Sequence, residues 1–328
     1  MQYRKLGKTG FEVSEISLGT WQLGGVWGLD FDDKTAEEVL SAAVENGVNF
    51  FDTADVYNNG QSEIMIGKFL RRRHKNDIRV ATKAGRKLKP HNAAGYTPDN
   101  IQGFIEDSLR RLRVDCIDLL QLHCPPTETY YNPELFFALD RMKEKGLIRH
   151  YGVSVEKVEE ALKAMSYPGI DTIQIIFNMF RLRPSELLFK VAAEKNIGII
   201  VRVPLASGLL TGKYGPDTEF NVNDHRFNNR EGQNFDKGET FAGVNYELGL
   251  KAVEELKQAF PDRELADIAL KFILSHKEVS CVIPGASRAS QIARNIKAAG
   301  TPDLTGDEIG VIKGIYEKYI KNPVHYLW

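Results

Sequence analysis

Apolar β-type runs alternate with helix-patterned segments along almost all of the 328-residue sequence. The segments between the runs carry apolar residues at helical spacing, as in "TAEEVLSAAVENG" and "ELFFALDRMKEKG". Runs that are almost continuously apolar are typical of parallel strands covered by helices on both faces. We count eight runs, which are "EISLGTW", "VNFFDTA", "IRVATKAG", "CIDLLQLH", "IRHYGVSV", "DTIQIIFN", "IGIIVRVPL" and "VSCVIPGA". Eight strand and helix pairs predict an α/β fold of the TIM (β/α)8 barrel type.

An open, doubly wound sheet is the alternative fold. It would carry a glycine-rich turn after an early strand, and the sequence contains no GxGxxG. A barrel absorbs this length without splitting, so we expect one domain over residues 1–328. Within it we expect an N-terminal β-hairpin at 1–14 that plugs the N-terminal face of the barrel, and an extra C-terminal helix and tail at 305–328.

Two local patterns complete the predicted organisation. Thr97, followed by proline, is a predicted N-cap of a helix. A long segment at 205–245 interrupts the alternation, and its part at 217–243 is rich in Asn, Asp, Gly, Phe and Arg. Loops of that length are usually functional or disordered.

Composition excludes several classes of protein. The formal net charge is −1, and the longest basic run is "RRRHK" at 71–75, which argues against nucleic acid or an anionic membrane as a partner. No stretch approaches the roughly 20 apolar residues of a membrane span, and the N-terminus lacks a signal peptide, so we expect a cytoplasmic protein. The three cysteines Cys116, Cys124 and Cys281 form no CxxC, which indicates reduced thiols and no metal site.

Polar groups follow three consecutive predicted strands where each strand ends. They are Asp52, Tyr57 five residues later, Lys83 and His123. Taken singly, each has an ordinary structural explanation, such as a turn cap, a solvated lysine or a core histidine. Because the C-terminal ends of barrel strands meet at one rim, we expect the four side chains to lie together. Burying Asp52 and Lys83 is costly unless they pair.

An ammonium group beside Tyr57 would change the acidity of its phenol group. A phenol titrates near ~10, and an adjacent cation lowers that value, so we expect Lys83 to make Tyr57 a better general acid. His123 would donate a hydrogen bond to a substrate carbonyl oxygen. A cysteine nucleophile at Cys124 and a metal-dependent hydrolase are the alternatives. The sequence shows neither a thiolate-stabilising setting nor an HxH cluster.

At this point the sequence resembles the aldo-keto reductase superfamily, and within it the bacterial branch with stress-response and inositol-cluster reductases. The resemblance rests on seven ordered motifs, which are "YRKLGKTGFEVSEISLGTW", "FFDTADVYNNGQSE", "TK" at 82–83, "DCIDLLQLH", "GVS" at 152–154, "PLASGLLTGKY" and "VIPGASRASQIARN". It implies NADPH-dependent, reversible reduction of aldehydes and ketones, with a catalytic tetrad of Asp52, Tyr57, Lys83 and His123. It also implies a small carbonyl or alcohol substrate, and a monomer or weak homo-oligomer.

The resemblance further implies a dinucleotide extended across the barrel mouth. Small residues in "ASGLLTGK" suit an anion, and the helix opened by "SRAS" would receive the adenosine 2′-phosphate, which favours NADP(H) over NAD(H). Arg288 would otherwise be a solvated helix residue. The implied cofactor-binding residues are Gly19, Thr20, Trp21, Asp52, Ser154, Gln174, Arg202, Pro204, Leu205, Ser207, Gly208, Leu210, Lys213, Arg226, Gly285, Ser287, Arg288, Gln291 and Asn295.

Two positions depart from the commonest family pattern. Arg202 stands where many members stack a tyrosine on the nicotinamide, and a guanidinium plane can also stack. Val155 replaces an asparagine, which removes one amide contact. Candidate walls of the substrate pocket are Trp21, Trp27, Tyr57, Tyr130 and the loop at 217–243.

Some barrels of this superfamily are regulatory subunits of channels, with little turnover. That is the alternative function. The discriminating feature would be a partner-binding extension, and here the predicted barrel begins within a few residues of Met1, which favours the enzyme.

Overall fold

The computed structural model describes residues 1–24, 31–73 and 77–328. Within these ranges the strands are β1 Tyr3–Lys5, β2 Glu12–Ser14, β3 Leu18–Gly19, β4 Phe50–Asp52, β5 Arg79–Ala84, β6 Ile117–His123, β7 Ile148–Ser154, β8 Ile170–Ile176, β9 Gly198–Arg202 and β10 Val279–Val282. The helices are α1 Asp33–Glu45, α2 Gln61–Arg73, α3 Pro98–Leu112, α4 Pro133–Glu144, α5 Val158–Ala164, α6 Leu188–Glu194, α7 His225–Asn228, α8 Tyr246–Ala259, α9 Leu265–Leu274, α10 Ala289–Ala299, α11 Gly306–Ile315 and α12 Lys321–Val324.

Strands β3 to β10 form one parallel sheet in which every strand lies beside its neighbour in sequence. Parallel bridges between Ile16 and Val282, and between Gly19 and Gly285, join the first and last strands. The sheet therefore closes on itself, and each of the eight predicted runs overlaps one of its strands. The predicted TIM barrel is confirmed.

The N-terminal hairpin covers one end of the barrel. β1 and β2 pair antiparallel, and the backbone N–H of Lys8 donates to the carbonyl of Asn196, just before β9 begins. Leu6 and Val13 are fully buried and belong to the same apolar cluster as Phe50 and other strand residues. The predicted hairpin is confirmed, and its apolar side packs against the N-terminal ends of the strands.

Several helices begin at side-chain caps. The hydroxyl of Thr97 accepts from the backbone N–H of Asn100, and proline follows at the first position of α3, as predicted. Thr305 and Glu308 form a capping box at the start of α11, the extra C-terminal helix. The sequence did not single out α9, which is buried along nearly its whole length and therefore lacks the polar face that marks an amphipathic helix.

The long segment at 205–245 is folded onto the barrel. It contains α7 and short 3-10 turns at Ala206–Thr211, Lys237–Glu239 and Phe241–Gly243. The indole N–H of Trp328 donates to Asp236 at 2.8 Å, so the C-terminal tail fastens this segment. None of the helices in the described ranges combines the length and apolar character needed to cross a bilayer.

Replacement of Leu6 with alanine tests the contribution of the hairpin. The side chain is fully buried, so we expect Leu6→Ala to lower the free energy of unfolding by about 2–5 kcal/mol. Urea denaturation followed by circular dichroism measures it. The exposed neighbour Lys5 is the control, and Lys5→Ala should change stability by less than about 0.5 kcal/mol. Equal stability of the two variants would show that the hairpin is not part of the cooperative core.

Candidate active site

A buried ion pair lies at the C-terminal ends of two adjacent barrel strands. Asp52 is the last residue of β4, Lys83 is the next-to-last residue of β5, and the Lys83 ammonium bonds Asp52 Oδ1. Both side chains are almost fully buried. The ammonium also donates to the carbonyl oxygen of Thr53 at 2.9 Å and to the hydroxyl of Tyr57 at 3.2 Å. Lys83 therefore has an anion on one side and a phenol on the other.

The second oxygen of Asp52 is held by two amides. Gln121 Nε2 donates to Oδ2 at 3.1 Å, and Gln174 Nε2 donates at 2.7 Å. Gln121 was not among the predicted site residues, although its place as a polar residue within the apolar strand "IDLLQLH" was a signal of an inward-facing partner. Such bonds offset the cost of burying the carboxylate.

The turn after β4 sets the direction of Tyr57. Asn58, Asn59 and Gly60 have φ angles of 47°, 53° and 90°, a left-handed conformation that asparagine and glycine adopt most readily. The amide of Asn58 donates to the carbonyl of Leu23 at 2.9 Å. This explains the "YNNG" sequence: the chain reverses immediately after Tyr57 and enters α2.

The first residues of α2 anchor that turn to the barrel. The hydroxyl of Ser62 bonds the hydroxyls of Thr53 and Thr20, each at 2.9 Å. The buried carboxylate of Glu63 accepts from Arg111 Nε at 2.6 Å. The "SE" of the motif therefore fixes the backbone that carries Tyr57.

The electrostatics of Tyr57 differ from the expectation. Burial raises the pKa of Tyr57, Lys83 lowers it and Asp52 raises it, and the net direction is upward. The sequence-based prediction of a lowered pKa did not include the desolvation of the phenol. Tyr57 is thus a protonated donor near neutral pH, and the Lys83 ammonium at its hydroxyl is positioned to stabilise a phenolate.

His123 ends β6 and faces the tyrosine ring edge-on, with 6.0 Å between ring centroids. Burial, together with the cations Arg86 and Lys83, holds the pKa of His123 well below its usual value. The imidazole is therefore neutral, and can donate one hydrogen bond to a carbonyl oxygen without competing for the proton.

A groove runs from the ion pair across the C-terminal face of the barrel. Fifteen of the predicted site residues line it. They are Gly19, Thr20, Trp21, Asp52, Tyr57, Gln174, Arg202, Pro204, Leu205, Ser207, Gly208, Arg226, Gly285, Gln291 and Asn295. Lining residues that the sequence analysis missed are Gln22, Val203, Thr211, Tyr214, His225, Glu239, Ile283, Pro284 and Arg294.

Five predicted cofactor residues lie outside the lining. Of these, two have side chains buried in the protein interior and one has a side chain exposed to solvent. The side chain of Leu210 is buried in the core, Lys213 is exposed, and Ser154 is buried where its hydroxyl donates to Gln174 Oε1 at 3.4 Å.

The other two are at the start of α10. Ser287 donates its backbone N–H and its hydroxyl to Gln291 Oε1, at 2.8 and 3.2 Å, so these donors already have an acceptor. Arg288 is exposed at the N-cap, whereas Arg294, about two turns further along, lines the groove.

Aromatic side chains form one wall near Tyr57. The Trp21 ring lies 4.9 Å from His225 and 6.2 Å from Phe235, between centroids. Of the other candidate wall residues, Tyr130 is fully buried in the core, and Trp27 lies outside the described residues.

The backbone along the groove has an unusual conformation. Val203, Ala206 and Ser207 have φ angles of 53°, 46° and 55°, and Gly208 has a φ of 94°. Non-glycine residues in this region cost on the order of 1–3 kcal/mol each and cluster at functional sites. Successive backbone N–H groups in such turns can form an anion-binding concavity, which suits the pyrophosphate of a dinucleotide. The groove could therefore hold an anionic ligand along this segment, and Tyr57 lines the same groove.

Arg202 is held by two hydrogen-bond acceptors and one further ion pair, beside the Asp52–Lys83 pair. Its Nη2 donates to the carbonyl of Val155 at 3.0 Å and to Glu156 Oε2 at 2.8 Å, and Nη1 lies 2.9 Å from Glu239 Oε2. Cys124 Sγ and the two carboxylates offer three potential metal-ligand atoms within 4.8 Å of one another. Because both carboxylates pair with the guanidinium, a cation there would compete with Arg202.

The family model described as "Aldo/keto reductase family" matches residues 15–317. The chain belongs to the aldo/keto reductase family. It is 30% identical to the uncharacterized oxidoreductase YqkF of Bacillus subtilis, covering 95% of this chain and 96% of that protein. It is 32% identical to a probable voltage-gated potassium channel subunit beta of Arabidopsis thaliana, covering 99% and 100%. The holo form of aldo-keto reductase AKR11C1 from Bacillus halodurans matches with a TM-score of 0.78 at 30% identity, covering 96% of both chains. The resemblance in the sequence is thereby confirmed.

Asp55, two residues before Tyr57, is a buried carboxyl group within the "FFDTADVYNNGQSE" motif. Neither side-chain oxygen has a hydrogen-bond partner among the described residues, and the residue is fully buried. Burial raises the pKa of Asp55 to about 7, more than the cation Lys87 lowers it. Folding therefore favours the protonated carboxyl group.

Asp55 should make stability fall as pH rises. Between about pH 4 and pH 7 the folded state holds a proton that the unfolded state has lost, so wild-type stability declines across this window. We expect Asp55→Asn to lose that decline, so that its stability relative to wild type rises by on the order of 2–4 kcal/mol from pH 4 to pH 8. Urea unfolding of both proteins at a series of pH values measures this difference. Parallel stability curves would mean that Asp55 does not titrate in this range.

Proposed function

We propose that this protein reduces aldehydes and ketones to alcohols, reversibly, with NADP(H) as cofactor and Tyr57 as general acid. The observation that carries the proposal is the contact of the Tyr57 hydroxyl with the Lys83 ammonium at 3.2 Å, at the wall of a groove that suits a dinucleotide. Family membership supports oxidoreduction of a carbonyl group.

Residues of the chain itself donate the proton and accept it in the reverse direction. When bound, the nicotinamide cofactor supplies the hydride that adds to the carbonyl carbon. Tyr57 gives its hydroxyl proton to the carbonyl oxygen, so the phenolic O–H bond breaks as the alcohol O–H bond forms. Lys83, fixed by Asp52, stabilises the phenolate that remains, and in the reverse direction this phenolate accepts the proton. His123, which is neutral, donates a hydrogen bond that orients the carbonyl oxygen.

The residues that line the groove differ in their chemistry from one end of the groove to the other. Gln174 and Arg202 would hold the nicotinamide end, beside the ion pair. Ser207, Gly208 and Arg226 would face the pyrophosphate, where Arg226 is itself paired with Asp224. Gln291, Arg294 and Asn295 of α10 would hold the adenosine end. In this division Arg226 and Arg294 would face the phosphate groups of the cofactor, where a guanidinium can form charge-assisted hydrogen bonds.

Tyr57→Phe tests the acid directly. The change removes the hydroxyl and keeps the ring, so we expect NADPH-dependent reduction of a panel of aldehydes and ketones to fall at least about 100-fold. NADPH binding should persist, because the phenyl ring still packs against Trp21. Steady-state NADPH oxidation and fluorescence titration measure the two quantities.

Tyr131→Phe is the matched control, because Tyr131 is an exposed tyrosine outside the groove. It should behave like wild type in both assays. Full turnover by Tyr57→Phe would contradict the assignment of the acid.

A cofactor-sensing or regulatory role is the second candidate. The similarity to a probable voltage-gated potassium channel subunit beta favours it. Binding of NADPH by wild type and by Tyr57→Phe, with no turnover of any carbonyl by either protein, would support this role over the enzyme.

The preference for NADPH should depend on Arg294. Arg294 lines the adenosine end of the groove and Arg288 does not, although both belong to the α10 region. We expect Arg294→Ala to raise the Kd for NADPH about tenfold or more and to leave the Kd for NADH nearly unchanged, because a charge-assisted bond to the 2′-phosphate is lost. Arg288→Ala is the control and should have a smaller effect. Tighter binding of NADH than of NADPH by the wild type would contradict the proposed cofactor.

We also propose a small-molecule substrate and a cytoplasmic setting, with a monomeric or weakly associated chain. The aromatic wall of Trp21 and Phe235 supports a small substrate. The three cysteines are unpaired in the structure, which suits a reducing compartment.

A further inference from the structure

Four charged side chains meet at the catalytic end of the groove, and we call them the charge cluster: Arg86, Glu156, Arg202 and Glu239. Arg202 pairs with both carboxylates, at 2.8 and 2.9 Å. Arg86 Nη1 lies 3.5 Å from Glu239 Oε1 and 4.0 Å from Glu156 Oε1. Two cations therefore face two carboxyl groups, and each of the four side chains is largely buried.

Arg202 and Glu239 line the groove together with Tyr57 and Gln174. The proposed function requires the nicotinamide ring at this end, because Tyr57 must reach the oxygen of the carbonyl that is reduced. The nicotinamide ring is positively charged in the oxidised cofactor and neutral in the reduced one. A guanidinium is positively charged at every relevant pH, so an uncompensated Arg202 would disfavour the oxidised ring selectively.

We propose that Glu239 is a specificity-determining residue: its carboxylate cancels the charge of Arg202, so that the groove binds oxidised as well as reduced cofactor. The inference rests on the proposed function and concerns only the balance between the two redox forms. Glu239 comes from the long segment at 205–245, whereas Arg202 ends a barrel strand, so a loop residue sets the electrostatics of the barrel site.

Of the two carboxyl groups that pair with Arg202, Glu239 ionises more readily than Glu156. Burial raises the pKa of Glu239, but Arg202 and Arg86 lower it by a larger amount, and the resulting pKa is about 2. Glu239 therefore stays ionised. For Glu156, burial outweighs Arg202 and raises the pKa, so it is the weaker counter-ion. The segment that carries Glu239 is also fixed in place, since the hydroxyl of Ser207 donates to the Glu239 carbonyl at 3.2 Å.

The test compares the Kd of NADP⁺ with that of NADPH by isothermal titration calorimetry. Glu239→Gln keeps the shape and removes the charge, so the ratio of the NADP⁺ Kd to the NADPH Kd should rise about tenfold or more, because the charge of Arg202 then disfavours the oxidised ring. Arg202→Gln should change the ratio in the opposite direction. Glu231→Gln is the control, since Glu231 is an exposed glutamate of the same segment that pairs with Lys237, and it should leave the ratio unchanged.

Glu239→Asp separates charge from packing. It keeps the anion on a shorter side chain, so both affinities can fall while the ratio stays near the wild-type value. An equal loss of both redox forms in Glu239→Gln, or the same change of ratio in Glu239→Asp, would overturn the inference. Binding of 2′,5′-ADP, which lacks the nicotinamide half, should be equal in all variants. Failure of wild type to bind any dinucleotide would instead refute the proposed function, whereas a constant ratio removes only the role of Glu239.

Discussion

The ion pair between Asp52 and Lys83 is the constraint around which the catalytic end of this barrel is arranged. A lysine and an aspartate this deeply buried are stable only if each finds compensating partners. Gln121 and Gln174 supply them for the anion, and the Thr53 carbonyl supplies one for the cation. Strands β4, β5, β6 and β8 therefore all contribute to satisfying one pair of charges. The remaining ammonium donor points at Tyr57, so structural compensation and proton chemistry use the same atoms.

The fold and the meeting of four polar side chains at one rim were predictable from the sequence for different reasons. The strands were found because each is a continuous apolar run, and a parallel barrel buries both faces. Asp52, Tyr57, Lys83 and His123 were placed together by a rule of topology, since the ends of barrel strands meet at one rim. The direction of the pKa of Tyr57 could not be predicted in the same way, because it depends on how much water the folded groove leaves around the phenol.

The residues that escaped prediction lie where local sequence has no periodic signal. Glu239 sits in a polar segment, and nothing near it in sequence indicates that it pairs with Arg202. Arg288 resembles a phosphate ligand by its position at a helix start, yet Arg294 is the one that faces the groove, because the direction of a side chain depends on the turn of α10 that carries it. Ser287 was predicted to bind the cofactor, and the structure shows its donors bonded to Gln291. Long-range partners and the direction of surface side chains therefore require coordinates.

Closure of the barrel has a consequence for the order of events during synthesis. The bridge between Gly19 and Gly285 joins residues from opposite ends of the chain, and Arg4 donates to the carbonyls of Leu274 and Val279. One stretch of the groove rim comes from residues 19–22 and the adjoining stretch from residues 283–295. Residues up to 295 must therefore be synthesised before this rim is complete. Until then the first barrel strand has only one of its two neighbours, and the growing polypeptide leaves that edge of the sheet unpaired.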